Sequence, residues 1–116
     1  MIPISFAGRL ISDPELKFTP SGAAVVTFGV ACNKKIKDES GSWVDGPAAF
    51  FDVQAWRQLA EDVAAVFNKG DRVVVIGTLA QRQWTTPEGQ KRSKFEVTAD
   101  DVGQSILWMS KDRTDA

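Results

Sequence analysis

The stretch RVVVIGTLAQRQ, Arg72 to Gln83, decides the fold. Four β-branched residues in succession, Val73 to Ile76, favour a strand over a helix, and Gly77 interrupts them as glycines do at a bulge. The segment therefore predicts one long, bent strand. Downstream, Thr86-Pro87-Glu88-Gly89 reads as a turn, and Phe95, Val97 and Ala99 alternate with Lys94, Glu96 and Thr98 in a return strand. Upstream, Leu59, Val63, Val66 and Phe67 fall at the spacing of one helical face, the only convincing helix. Its expected end is Asn68-Lys69-Gly70, with the glycine in a left-handed cap and Lys69 at the negative end of the helix dipole. Its start carries no Ser, Thr or Asn cap.

Three more segments complete the pattern. Ile2, Ile4 and Phe6 alternate in a first strand, and Leu16 and Phe18 alternate between turns at Asp13-Pro14 and Pro20-Ser21-Gly22. Val26, Phe28, Val30 and Cys32 oppose Val25, Thr27, Gly29 and Ala31, which suits a strand covered on one face and nearly so on the other. Lys37 to Ser42 is a polar hairpin tip leading back towards Phe50. One helix among about five strands predicts an all-β chain, a five-stranded OB-fold barrel, the type whose face and loops hold oligonucleotides.

Composition narrows the class. The chain has 116 residues, 43% hydrophobic and 25% charged, the usage of an ordinary globular protein with one core. A single domain over residues 1–109 with a short polar end at 110–116 is expected. No apolar run approaches the roughly 20 residues of a membrane helix, and the N-terminus lacks a signal-peptide layout, so a cytoplasmic protein is expected. With no histidine and the single Cys32, neither a zinc site nor an internal disulfide can be assembled, and no metal or cofactor is expected. Cys32 reads as a packed core thiol, since no histidine exists to activate it.

The segment Phe50 to Trp56 separates two kinds of residue. Phe51, Val53 and Ala55 suit a core, whereas Phe50, Asp52, Gln54 and Trp56 place two large rings among polar groups on what should be a wet face. Trp84 repeats the pattern beside Arg82. One such ring could cover a subunit interface; a set of them beside cations suits a strand of nucleic acid, because every base has a π-face and Lys and Arg track phosphates. Arg92 and Lys94 would flank the rings if the two strands pair about the turn at Pro87 to Gly89. Trp43 lies in a second basic hairpin with Lys34, Lys35 and Lys37. Trp108, after Ile106-Leu107, suits packing.

The formal net charge of -1 runs against nucleic-acid binding, but distribution matters more than the sum. Between Arg82 and Lys94 four cations stand against Glu88 alone. Catalytic signatures are missing: no phosphate-binding glycine motif follows Val73 to Gly77, and Asp100-Asp101 would diverge on a strand. No catalytic residue is assigned, and an enzyme is not expected.

GRLISDPELKFTPSGAAVVTFGVA, Gly8 to Ala31, and FFDVQAWRQLAEDVAAVFNKGDRVVVIGTLAQRQWTTPEGQKR, Phe50 to Arg92, resemble the bacterial single-stranded-DNA-binding proteins, in order and over most of the chain. The resemblance implies an OB-fold that coats single-stranded DNA in replication, recombination and repair, usually as a homotetramer. Phe50, Trp56 and Trp84 match the family's stacking aromatics, and Lys69, Arg82 and Arg92 match its basic positions. A further stacking position, often tryptophan, falls on Ile36, and Trp43 is the candidate to replace it. SWVDG and WRQLAE are similar to actinobacterial members. Family members usually end in an acidic tail that docks partner enzymes; the sequence ending at Ala116 lacks one, so recruitment by that route is not expected, and a paralogue or a phage- or plasmid-encoded member is implied. The alternative is a primosome-type protein-interaction module that keeps the fold and binds little DNA.

Overall fold

The computed structural model describes residues 2–107; Trp108, the segment 110–116 and the side chain of Lys34 lie outside the described set. The elements run β1 (Ile2–Leu10), β2 (Glu15–Phe18), β3 (Ala24–Lys37), β4 (Trp43–Trp56), α1 (Arg57–Val66), β5 (Arg72–Thr85) and β6 (Lys91–Gln104). Strands neighbour one another in the order β1-β5-β6-β4-β3, and a β1–β3 pairing closes the ring. The result is the expected five-stranded OB-fold barrel, with β2 as a short flap on β3.

Alternation explains which residues fill it. Val26, Phe28, Val30, Val53, Ala55, Val73, Val75 and Val97 are buried in the barrel, and Ala60 and Val63 of α1 join the same core. The ring closes where backbones touch. Arg9, still opposite Arg72 of β5, also pairs with Ala31 of β3, Leu10 pairs with Val30, and a Cβ on Gly8 would lie 2.4 Å from the Ala31 carbonyl oxygen. Only glycine allows that approach.

The bend predicted at Gly77 is present. Ile76 pairs with Asp101 and Gly77 with Ala99, so Asp100 is an extra residue in β6 and both strands turn there. A Cβ on Gly77 would lie 2.1 Å from the Thr98 carbonyl oxygen. Asp100 and Asp101 are both exposed at this bulge.

The helix differs from expectation at both ends of its stripe. It stops at Val66, and its C-cap Phe67 is extended, so Lys69 is not in the last turn. Gly70 does adopt positive φ, but in a separate turn closed by the Asp71 N–H bonding to the Asn68 carbonyl. Val66 faces solvent, and Ala60 takes its place in the buried stripe with Val63 and Phe67. Phe95 is also exposed rather than core, because the β5–β6 hairpin runs beyond the barrel there and its inner parity has nothing to cover it. Cys32 is half-buried against the core rather than enclosed, and burial pushes its thiol pKa up against the opposing pull of Arg72.

Candidate nucleic-acid interface

Strand register brings the separated residues onto one face. In the antiparallel β5–β6 ladder Arg82 pairs with Lys94 and Trp84 with Arg92. β4 runs parallel to β6 with Asp52 beside Glu96 and Gln54 beside Thr98, and β3 adds Thr27 opposite Gln54, Gly29 opposite Asp52 and Ala31 opposite Phe50. Directly paired residues share a face, so Phe50, Trp56, Trp84, Arg82, Arg92 and Lys94 all point outwards from the same side of the barrel.

These rings are uncovered. Phe50 is 67% exposed, Trp43 64%, and Trp56 and Trp84 each 40%. Trp56 caps the strand at the entrance to α1, where Arg57 takes φ +60° to turn the chain without a side-chain cap. The Arg82 guanidinium lies 5.6 Å from the centroid of Trp84, a cation–π contact that orients both.

Trp43 reaches this face through an irregularity. Asn33 pairs with Ala48, but two residues on Lys35 pairs with Asp45, so β4 holds one more residue than β3 at Gly46-Pro47. The extra residue reverses the parity of β4 beyond it. Trp43, odd-numbered like the core residue Val53, therefore pairs with Lys37 on the side of Phe50, and Ile36 and Val44 fall on the other. Lys35 forms an ion pair with Asp45 on the same side, which with its hydrogen bond holds the Asp45 carboxyl below the usual carboxylate range.

A cleft of about 450 Å³ opens at the middle of the face, bordered by Thr27, Gly29, Gln54, Arg82, Lys94 and Glu96. Inside it the cations are already engaged: Lys94 Nζ lies 3.1 Å from Asp52 Oδ2 and Arg82 Nη1 3.4 Å from Glu96 Oε1. Arg92 instead donates to the neutral Gln90 Oε1 at 2.8 Å. Sequence reading ranked the cations and overlooked their partners, although Glu96 follows Lys94 by two residues, the spacing of one strand face. Among the described residues no group of His, Cys, Asp and Glu is placed to hold a metal ion, and no helix is long and apolar enough to cross a membrane.

The family model for the single-strand binding protein family matches residues 1–105. The chain belongs to that family. It is 48% identical over 110 residues to a single-stranded DNA-binding protein of Corynebacterium glutamicum, covering 94% of this chain and 49% of the relative. It is also 48% identical over 106 residues to the single-stranded DNA-binding protein of Mycobacterium tuberculosis strain H37Rv, covering 90% of this chain and 65% of that one. The chain thus spans from about half to just under two thirds of the length of these curated relatives, which are actinobacterial as the sequence resemblance implied. The crystal structure of a small single-stranded DNA-binding protein from Streptomyces coelicolor superposes with a TM-score of 0.79 at 31% identity, over 91% of this chain and 95% of that one.

Two candidate positions of this single-strand binding family member stand apart from the cluster. Lys69 lies on the turn after α1, where its backbone N–H bonds Asp13 Oδ1 at 2.7 Å, next to Ser12 at the rim of the cleft. Lys34 belongs to β3 at the level of the β4 bulge. Lys37 was seen only as part of a basic run, and the ladder alone reveals it as the partner of Trp43.

Proposed function

We propose that this chain binds single-stranded DNA without regard to sequence, in the cytoplasm, as a non-catalytic homotetramer acting in replication, recombination and repair. The observation that carries the proposal is the shared face of four exposed rings, Trp43, Phe50, Trp56 and Trp84, interleaved with Arg82, Arg92 and Lys94. Rings of this kind hold any base by stacking, and the cations follow the backbone between them. Duplex DNA keeps its bases stacked on one another and offers this face only phosphates. The family membership and the names of the relatives support the same assignment.

Titration with poly-dT, poly-rU and duplex DNA while following tryptophan fluorescence tests this. Strong quenching by poly-dT and little by duplex is expected. A folded protein whose fluorescence poly-dT leaves unchanged would instead support the protein-interaction module.

A further inference from the structure

The cations on the binding face are of two kinds. Arg92 donates to a neutral amide, and Lys37 lies over the Trp43 ring. Arg82 and Lys94, opposite each other in the β5–β6 ladder, close a quartet with two carboxylates. Lys94 Nζ lies 3.1 Å from Asp52 and 3.9 Å from Glu96, and Glu96 also takes Arg82 at 3.4 Å. The Glu96 side chain is only 20% exposed, so its charge is poorly screened, whereas Asp52 is largely open to solvent. The quartet is neutral at the centre of the cleft, between the stacking rings of β4 and β5.

A phosphate arriving at Arg82 or Lys94 must replace a carboxylate already in place. The exchange of one oxyanion for another gains little, and the displaced carboxylate remains nearby to repel the next phosphate. Resting on the proposal that the chain binds single-stranded DNA, we infer that Asp52 and Glu96 are affinity-limiting counter-charges. They mask Arg82 and Lys94, so that at mid-cleft the strand is held by its bases and binding stays reversible and shallow in its salt dependence.

The experiment is a salt series of poly-dT titrations on the full chain and its Glu96→Gln and Asp52→Asn variants, with Glu88→Gln on the β5–β6 turn as a control of equal charge change. Each face variant is expected to bind about two- to fivefold more tightly than the parent at low salt. Its log-affinity slope should steepen by up to about 0.7 for each cation released. Glu88→Gln should move neither quantity as far. Unchanged or weaker binding by both face variants, or an equal gain from Glu88→Gln, overturns the inference. Should Glu96→Gln fail to fold, exposed Asp52→Asn decides alone, since it tests the same Lys94. A parent that does not bind poly-dT overturns the functional proposal itself, whereas a binding parent with unmoved variants overturns only the masking.

Discussion

The Lys37 ammonium lies 5.2 Å from the ring centroid of Trp43, the residue directly opposite it in the β3–β4 ladder. The pair shares the face of Phe50 only because Gly46-Pro47 adds one residue to β4. Trp43→Ala should therefore weaken poly-dT binding by the worth of one stacked base, about 1 to 3 kcal/mol. Deleting Gly46, which returns the ring to the opposite side, should produce the same loss in fluorescence titrations while keeping all four tryptophans.

Arg57 holds φ +60° without glycine's freedom at the junction of β4 and α1. The left-handed region disfavours a side chain by roughly 1 to 2 kcal/mol, so Arg57→Gly should raise the thermal midpoint and Arg57→Val lower it. Thermal denaturation of the three proteins checks the order.

Gly77 and Gly103 sit on paired strands and make opposite demands. A Cβ at Gly77 meets the Thr98 carbonyl at 2.1 Å, and one at Gly103 meets nothing within 4 Å. Gly77→Ala is expected to lose on the order of 3 kcal/mol in urea unfolding, whereas Gly103→Ala changes stability little.

Burial raises the Cys32 thiol pKa above its ordinary value of 9.0, with Arg72 only partly opposing. Because the folded value exceeds the unfolded one, the associated stability is fully present below pH 9.0 and is lost as pH climbs through the raised value. Iodoacetamide should accordingly label Cys32 at pH 8 more slowly than a free cysteine; equal rates would contradict the assignment.

Much of this was legible in the sequence because strand parity is a local property. The β-branched run and Gly77 announced a bent strand, and Phe50, Trp56, Trp84 and Arg82 could be placed on a wet face by alternation alone. Parity failed where a long-range pairing changes it. Gly46-Pro47 marks a bulge in β4, but only the ladder shows that it adds one residue relative to β3, and Phe95 alternates like a core residue although its hairpin outruns the barrel. The helix end was misplaced because Gly70 satisfies a turn of its own, four residues beyond Val66. The Asp52 partner was hidden for a similar reason: β4 meets β6 in a long-range parallel pairing that alternation does not announce, whereas Glu96 stands two residues from Lys94 on its own strand.

The central claim, that bases on rings rather than bulk charge hold the strand, is tested by comparing Trp56→Ala and Trp84→Ala with Arg92→Gln in poly-dT titrations across a salt series. Arg92 is the cation of choice because, among the described residues, it bonds Gln90 and no carboxylate. Each tryptophan variant should lose about 1 to 3 kcal/mol of binding with its salt slope unchanged, while Arg92→Gln should lower the slope by about 0.7. Tryptophan variants that bind as tightly as the parent, with affinity following only the charge changes, would contradict it.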